Sequence, residues 1–374
     1  MTAAPVGVGI IGAGMISTTY LENMSRMPDL QVLAIGDIDT ERARAQADAF
    51  GVAVGGSADD VLAVPEVEIV INLTIPAVHA AVSQQILRAG KHVWTEKPLS
   101  IDLPSARDTV ELARETGLRV GVAPDTMLGP GVQVARRLIA EGAIGRPLSA
   151  STVMQYMGPE RMHPNPSFLY ARGAGPLFDM GPYYLSALVN VLGPIDTVAA
   201  VGSRSRTKRA VRVGDAAGET FPVEVDTHVL AMLRFKEGGV AESTLSFDTP
   251  FVRNGVVEVT GTEGTLVLTD PNKFAGVVRH TSEPDPGPWP PAQVWTDHAA
   301  DAHDAGRGIG VLDMAREIRA GGAHRASAEL GLHVLEGMLA IERSLETRAF
   351  VPVESTVARP ALLPEGWDPF AATL

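Results

Sequence analysis

The 374-residue sequence contains no cysteine. Disulfides, a thiolate nucleophile and zinc bound by cysteine are therefore excluded, and the absence fits a reducing compartment. The histidines are scattered along the chain, without a His-x-x-x-His pair or a comparable cluster. We therefore predict no metal site.

Long runs of basic or apolar residues are also missing. The formal net charge is -13, and nucleic acids and anionic membranes both require clustered Lys and Arg, so neither is an expected partner. No apolar run reaches membrane-spanning length, and the residues before Val6 are too few for a signal peptide. These absences predict a cytoplasmic protein whose partner is a small molecule.

A glycine turn opens the chain. The apolar run Val6 to Ile11 predicts a strand, and helical spacing follows from Thr18 to Met27. Gly12 permits a tight turn between them, and Gly14 lets a pyrophosphate approach the backbone, while Ser17 takes the place of a third glycine. Backbone N–H groups at the amino terminus of the helix favour phosphate. The predicted phosphate-binding residues are Gly12, Gly14, Met15 and Ile16.

Asp37 follows the second predicted strand, Gln31 to Gly36. This spacing from the glycine turn is that of a carboxylate that accepts both ribose hydroxyls of NAD. Its alternative role would be to cap the helix from Thr40 to Phe50, but Asp39 is better placed for capping. Since Asp37 would repel a 2′-phosphate and no basic residue follows immediately, we expect NAD, with NADP as the less favoured cofactor.

Strands and helices then alternate, which predicts a doubly wound parallel sheet, the Rossmann arrangement. Thr74 and Pro76 follow the fourth strand at its carboxyl end and should border the cofactor. His79 is expected either to line the same crevice or to be a hydrogen-bonded structural histidine. Further strands are predicted at Val52 to Val54, Glu68 to Leu73, Lys91 to Thr95 and Leu118 to Val122.

Glu96 and Lys97 lie just after the strand Lys91 to Thr95, where open α/β sheets bind their ligands. A lysine at this point is suited to contact both the nicotinamide and the reacting group. The alternative is a surface lysine in a salt bridge.

After a predicted helix from Pro130 to Ala140, the apolar residues no longer follow a helical period. In several segments they alternate with polar residues every two positions, which indicates an antiparallel sheet. We predict two domains: residues 1–124 bind NAD, and residues 125–374 form an α+β domain for substrate binding and oligomerisation. Glu283 to Pro291 reads as a surface loop without a function. The predicted strands of the second domain are Ser149 to Gln155, Thr197 to Gly202, Val223 to Phe235, Val240 to Phe247, Val256 to Gly261 and Thr265 to Thr269.

Six short motifs carry a resemblance to a known family: Gly12-Ala-Gly14, Asp37-Ile-Asp39, Pro76 with His79, Ala89-Gly-Lys-His-Val93, Glu96-Lys97-Pro98, and Gly175-Pro-Leu-Phe-Asp179-Met-Gly181. On these motifs nearly the whole chain resembles the glucose-fructose oxidoreductase, inositol dehydrogenase and rhizopine-catabolism (Gfo/Idh/MocA) oxidoreductases. The resemblance implies a Rossmann domain followed by a large, open, mainly antiparallel sheet, with substrate held between that sheet and the nicotinamide. It also implies a homodimer or homotetramer, and a cis peptide before Pro98.

The resemblance implies that Lys97 contacts the reacting hydroxyl and that Asp179 orients the substrate. Where much of the family has a histidine general acid/base, this chain has Tyr183, so three proton carriers stay open: Tyr183, Lys97 alone, or His163 from a proline-stiffened loop. Arg161 lies in the same loop as His163 and is a further candidate for substrate binding. Another departure is at Thr126 and Met127, where relatives usually carry a polar-aromatic or Asn-Arg sequence, and Thr126 is a predicted substrate residue.

The predicted activity is hydride transfer between nicotinamide and a secondary hydroxyl of a sugar, polyol or glycoside, with Lys97 assisting proton transfer. One alternative is an NAD-dependent lyase or hydrolase that cleaves glycosides through a transient 3-keto sugar. The other is a non-catalytic NAD-binding sensor.

Overall fold

The structure is a computed structural model that describes residues 4–282 and 293–374. The stretch Glu283 to Pro291, predicted to be a surface loop, lies outside the described residues. The chain forms two compact units. The first comprises Met1–Gly129, His303–Leu335 and Pro360–Leu374, and the second comprises Pro130–Ala302 and Glu336–Arg359.

In the described residues, a six-stranded parallel sheet forms the centre of the first unit. Its strands are β1 (Val6–Ile11), β2 (Leu30–Gly36), β3 (Val54–Gly56), β4 (Val67–Asn72), β5 (His92–Thr95) and β6 (Val120–Val122). The accompanying helices are α1 (Met15–Met24), α2 (Thr40–Phe50), α3 (Ala58–Leu62), α4 (His79–Arg88) and α5 (Leu103–Thr116). The strand order β3-β2-β1-β4-β5-β6 confirms the predicted doubly wound sheet.

Capping residues explain where the helices of this unit begin and end. The Asp39 carboxylate accepts the Arg42 N–H at 3.1 Å and starts α2. Gly51 ends the same helix in the left-handed conformation. The predicted capping role of Asp39 is therefore confirmed. Helix α1 begins three residues before the predicted Thr18, because its N-cap is Gly14 of the glycine turn itself.

The second unit is built on a mixed sheet. Its strands are β7 (Pro147–Gln155), β8 (Ile195–Ser203), β9 (Lys208–Ala210), β10 (Thr220–Pro222), β11 (His228–Phe235), β12 (Val240–Ser246), β13 (Arg253–Gly261), β14 (Gly264–Val267), β15 (Gly276–Ser282), β16 (Thr296–Ala300) and β17 (Val351–Pro352). Over the described ranges, nine of them follow the order β16-β15-β14-β13-β7-β12-β11-β8-β17, and β9 pairs only with β10. The β7–β12 pair is parallel and the other pairs are antiparallel, which confirms the mainly antiparallel sheet.

Two helices of the second unit pack against this sheet. They are α6 (Pro130–Ala140), at the predicted residues, and α7 (Gly175–Leu192). Helix α7 packs against β7, β11 and β12. Along β11, exposure alternates with a period of two, so Val229, Ala231 and Leu233 are buried while Leu230 and Met232 are exposed.

The carboxyl-terminal part of the chain does not follow the predicted single boundary after residue 124. The later helices are α8 (Ile309–Ala320), in the first unit, and α9 (Ala328–Thr347), which runs from the first unit into the second. Residues 303–335 belong to the first unit because they pair with its sheet edge. Gly121 forms a β-bridge with Ser327, and the Val122 N–H donates to the Ala326 carbonyl at 2.9 Å.

The predicted strand Val223 to Phe235 begins only at His228. Val223 instead pairs by its backbone N–H with the Thr207 carbonyl at 2.9 Å, next to the β9–β10 pair. Local alternation could not reveal this break, because the competing partner lies 16 residues earlier in the sequence.

Candidate active site and nucleotide site

The glycine turn has the geometry of a phosphate cradle. Gly12 has φ of 110°, and a Cβ there would lie 2.6 Å from backbone atoms of Leu73, so only glycine fits. A Cβ on Gly14 would meet nothing within 4 Å, which leaves open space at the start of α1. Ser17 is buried, and its hydroxyl donates to the Gly14 carbonyl at 2.7 Å. The turn therefore leaves the amino terminus of α1 accessible to an anion.

Met15 and Ile16 form the first turn of α1. Met15 is largely exposed, and Ile16 is half-buried. As predicted cofactor residues, they can contribute backbone N–H groups and side-chain contact at the mouth of the turn.

Asp37, the predicted ribose-binding residue, lies at the end of β2 and is hydrogen-bonded to the glycine turn. Its Oδ2 accepts the Ala13 N–H at 2.7 Å, and its Oδ1 accepts the Asp39 N–H at 2.9 Å and the Arg42 guanidinium at 2.7 Å. Burial opposes ionisation, but the Arg42 ion pair and the two N–H donors outweigh burial and lower the pKa of Asp37. The carboxylate is thus held charged.

Sequence reasoning missed Arg42 because it looked only at the residues immediately after Asp37. The available signal was helical geometry. Arg42 lies three positions into α2, where a first-turn side chain can reach back to the residue at the end of the preceding strand.

The segment after β4 is fixed by its own side chains. The Asn72 Oδ1 accepts the Thr74 hydroxyl at 2.6 Å, and Pro76 opens a short 3₁₀ turn before α4. The ring nitrogens of His79 lie 2.7 Å from the Pro98 carbonyl and 3.0 Å from the Thr74 carbonyl. His79 is also buried. It links the end of β4 to the turn after Lys97, as expected of a hydrogen-bonded structural histidine.

Lys97 follows β5 at the carboxyl edge of the sheet. The Glu96 N–H donates to the Asn72 carbonyl at 3.0 Å, so the chain stays attached to β4 beyond the end of β5. The Lys97 N–H donates to the Glu96 carboxylate at 3.1 Å, and the Lys97–Pro98 peptide is cis, as the resemblance implies. The half-buried Lys97 is therefore attached through its backbone N–H to the Glu96 carboxylate.

Two side chains, Trp94 and Tyr20, form a chain of hydrogen bonds that ends on Glu96. The Trp94 indole N–H donates to the Tyr20 hydroxyl at 3.1 Å, and the Tyr20 hydroxyl donates to the Glu96 carboxylate at 2.9 Å. Burial, with the charges of Glu96 and Asp125, raises the pKa of Tyr20, so its hydroxyl remains a donor. No local pattern indicates Tyr20, which lies 76 residues before Glu96.

Asp125 is a fully buried carboxylate of the same unit. Its Oδ2 accepts the backbone N–H groups of Gly308 at 2.7 Å and Gly310 at 3.3 Å, at the start of α8. Burial raises its pKa to about 6, although the Arg307 charge and the two N–H groups act in the opposite direction. Its neighbour Thr126, a predicted substrate residue, is buried in the same 3₁₀ turn and presents little accessible surface.

In the second unit, Asp179 and Tyr183 lie four residues apart on α7, on one helix face. Asp179 is half-buried and Tyr183 is buried. Tyr156 lies just after β7 and is half-buried, and the charge of Asp179 acts on it. Burial first, and then the charges of Asp179 and Glu160, raise the pKa of Tyr156 far above its usual range. Tyr156 is a site candidate that sequence reasoning missed.

The loop after β7 carries the other two predicted substrate residues. Arg161 is exposed and His163 is partly exposed. The His163 Nδ1 accepts the Asn165 N–H at 3.0 Å, so the proton of the neutral ring is on Nε2. The ring packs edge-on against Phe168, with ring centroids 5.4 Å apart. The loop thus offers a cation and an N–H donor on its accessible side.

A buried ion-pair centre holds this loop. The Arg209 guanidinium donates to Glu160 at 2.6 Å and to Asp248, and it also donates to the Met157 and Phe247 carbonyls at 3.2 and 2.9 Å. It lies 5.0 Å from the centre of the Tyr170 ring, and the Tyr170 hydroxyl donates to Glu160. Arg209, Glu160, Asp248 and Tyr170, together the Arg209 centre, join the loop to the sheet.

Across residues 4–282 and 293–374, no group of three or more His, Asp or Glu side chains is arranged to hold a metal ion. Over the same ranges, no helix has the length and apolar character required to cross a bilayer.

Comparisons with known proteins agree with this geometry. Residues 6–123 match the model of the oxidoreductase family with an NAD-binding Rossmann fold, and residues 132–267 match the model of the carboxyl-terminal domain of the same GFO/IDH/MocA family. The chain is 28% identical to 1,5-anhydro-D-fructose reductase of Ensifer adhaerens over 309 residues, which are 81% of this chain and 88% of the relative.

Two further similarities concern a dehydrogenase sequence and a solved fold. Identity to D-xylose dehydrogenase of Paenarthrobacter nicotinovorans is 27% over 298 residues, 74% of this chain and 76% of the relative. The solved structure of levoglucosan dehydrogenase in complex with NADH superimposes with a TM-score of 0.82 at 23% identity, covering 94% of this chain and all of that one.

The open start of α1, the glycine that no other residue can replace and the charged Asp37 fit an NAD molecule. Fold and site thus define an NAD-binding oxidoreductase with a Rossmann domain and a mainly antiparallel second domain. The chain belongs to the GFO/IDH/MocA oxidoreductase family, whose two domain models together match about two thirds of its length.

Proposed function

We propose that the protein is an NAD-dependent dehydrogenase that acts on a secondary hydroxyl of a sugar, polyol or glycoside. The observation that carries the proposal is the position of Lys97, which follows β5 at the ligand-binding edge of the sheet with Glu96 fixing its backbone. The relatives named above act on carbohydrates, which supports this class of substrate.

Oxidation of an alcohol requires the removal of a hydride and a proton. NAD, when bound, accepts the hydride. The hydroxyl proton is too weakly acidic to leave unaided, and we assign its transfer to the Lys97 amine, since a positioned group contributes about 10²–10⁴-fold. Glu96 acts on Lys97 through the backbone contact, and Tyr20 keeps the Glu96 carboxylate in place.

We assign substrate binding to the second unit. Asp179 can accept hydrogen bonds from sugar hydroxyls, and Tyr183, one turn later, adds a phenol to the same helix face. Arg161 and His163 contribute donors from the loop held by the Arg209 centre. Tyr183 replaces the histidine of many relatives, and we place the proton transfer on Lys97 because it follows β5 at the ligand-binding edge of the parallel sheet.

The test of the activity is a screen of polyols, hexoses and glycosides with NAD at alkaline pH. NADH absorbance and released free sugar are followed in the same reactions. The proposal predicts that NADH accumulates with at least one carbohydrate and that no free sugar is released. Release of sugar without NADH would instead support the redox-neutral cleavage of glycosides, a reaction that none of the relatives named above carries in its name.

We further propose that the chain forms a homodimer or homotetramer through the sheet face that α7 leaves uncovered. Leu230, Met232 and Val240 are exposed on neighbouring strands, with Val201 and Phe350 beside them. A contiguous apolar face of this kind is typical of an interface. Light scattering would show the oligomer, and Met232→Asp should weaken it. A cytoplasmic location stays a prediction from the sequence.

A further inference from the structure

Asn254 and Gly255 form a bulge in β13. The register with β7 shifts between Arg253 and Val256, so two residues of β13 lie opposite one residue of β7. A bulge of this kind leaves its extra residue out of the ladder. Asn254 is exposed, and Gly255 has φ of 76°. The Asn254 side chain is therefore at the surface, at a point where the regular pairing of the sheet is interrupted.

An asparagine followed by glycine has a chemistry of its own. The backbone nitrogen of the glycine can attack the carbon of the side-chain amide, which closes a succinimide ring and releases ammonia. Water then opens the ring to aspartate or isoaspartate. Glycine favours the attack because it has no Cβ to obstruct it. Asn254 is the only asparagine in the sequence that precedes a glycine.

The attacking nitrogen is restrained in the folded protein. The Gly255 N–H donates to the Tyr184 hydroxyl at 2.8 Å, and Tyr184 is fully buried on α7. The attack requires this nitrogen to lose its proton and to turn towards the Asn254 side chain. The hydrogen bond opposes both changes, so Tyr184 restrains the atom on which the reaction depends.

Asp270 acts in the same direction. A Cβ on Gly255 would lie 2.5 Å from the Asp270 Cβ, so the aspartate lies directly against the glycine. Its charge disfavours a negative charge on the Gly255 nitrogen. Burial, and then the same Asp270 charge, raise the pKa of Tyr184. The phenol therefore stays neutral and does not act as the base that removes the proton.

We propose that Asn254 is a site of spontaneous deamidation and that Tyr184 sets its rate by holding the Gly255 N–H. The reaction consumes water and releases ammonia, and it replaces a neutral amide by a carboxylate. In the isoaspartate product the backbone of β13 also gains a methylene, next to the pairing of Arg253 with Gln155 of β7. The proposal does not depend on the cofactor or on the identity of the carbohydrate.

The test is incubation of the intact protein at mildly alkaline pH, with residue 254 followed over time by peptide mapping and mass spectrometry. Aspartate and isoaspartate should accumulate at this position in the wild-type protein. In Tyr184→Phe the rate should rise by at least about fivefold, the factor that corresponds to the net free energy of a hydrogen bond. Asn254→Gln should stay unmodified, because closure of the larger ring is slow.

The matched control is Tyr170→Phe, which removes another buried hydroxyl of the second unit, one that donates to Glu160. This variant should deamidate at the wild-type rate. The proposal is overturned if neither the wild type nor Tyr184→Phe is modified at residue 254, if the two react at the same rate, or if Tyr170→Phe accelerates the reaction equally. Amide hydrogen exchange of the wild-type protein is a second measurement, in which the Gly255 N–H should be protected. Rapid exchange there would contradict the role of Tyr184.

Discussion

The buried polar centre of the first unit and that of the second unit are built differently. In the first unit, the neutral Tyr20 hydroxyl accepts the Trp94 N–H and donates to Glu96, while backbone N–H groups hold Asp125. In the second unit, the single buried guanidinium of Arg209 pairs with both Glu160 and Asp248. The carboxylates of the first centre are therefore held by neutral donors, and those of the second centre mainly by a side-chain charge.

The pKa values of Asp125 and Asp248 reflect this difference. Burial raises the pKa of Asp125 to about 6. Burial also acts on Asp248, but the hydroxyls of Ser205 and Thr227 and the Arg209 charge outweigh it and lower the pKa. The first centre should therefore respond to pH near neutrality, and the second should respond to loss of its cation.

The largest expected effect is on the stability of the second unit. Arg209→Leu leaves the buried carboxylates of Glu160 and Asp248 without a cation, which should lower the free energy of unfolding by about 3–5 kcal/mol in urea titrations. The control is Arg234→Leu, which breaks the exposed pair with Asp196 and should cost less than about 1 kcal/mol. Equal losses in the two variants would remove the distinction between the centres.

The next effect depends on pH. The pKa of Asp125 is raised above the usual 3.8, so the folded state holds a proton that the unfolded state releases between about pH 4 and 6. The resulting stability is complete below pH 4 and is lost as pH rises through about 6. Asp125→Asn stays neutral and can accept the same N–H groups, so its stability relative to the wild type should rise by about 3 kcal/mol from pH 4 to pH 7.

Urea unfolding of both proteins across that range is the measurement. Asp248→Asn, compared in the same way, should become less stable relative to the wild type as pH rises, because the pKa of Asp248 is lowered. A flat difference for Asp125→Asn would show that its ionisation is not coupled to folding.

A smaller effect is expected for Tyr20→Phe, which removes the donor to Glu96 and the acceptor of the Trp94 N–H. The cost should be about 1–3 kcal/mol of stability. Because Glu96 contacts the Lys97 backbone, kcat should also fall several-fold and the pH profile of kcat should shift. Tyr170→Phe, which removes the donor to Glu160, serves as control and should leave that profile unchanged.

Some residues of the site could be predicted from the sequence because local patterns mark their positions. The glycine turn, Asp37 and Lys97 follow strands that the apolar pattern reveals, and the sheet order brings their carboxyl ends to one edge. Their positions are therefore encoded locally. The structure adds Arg42 to these residues. Its position in the first turn of α2 could have indicated that its side chain reaches Asp37.

Tyr20, Tyr156 and Arg209 could not be found in this way. Arg209 lies 49 residues from Glu160, and its strand β9 has three residues, too few for a periodic signal. Residues 303–335 join the first unit through backbone pairing with β6, which no composition change marks. Contacts of this range depend on tertiary packing rather than on local pattern.

The central claim is that Lys97 transfers the proton. The most direct test is the kcat of Lys97→Ala with the carbohydrate that the screen identifies, beside Lys273→Ala as an exposed lysine control. The account predicts that Lys97→Ala loses at least about 100-fold in kcat while the control retains wild-type turnover. Normal turnover by Lys97→Ala would contradict the assignment of Lys97.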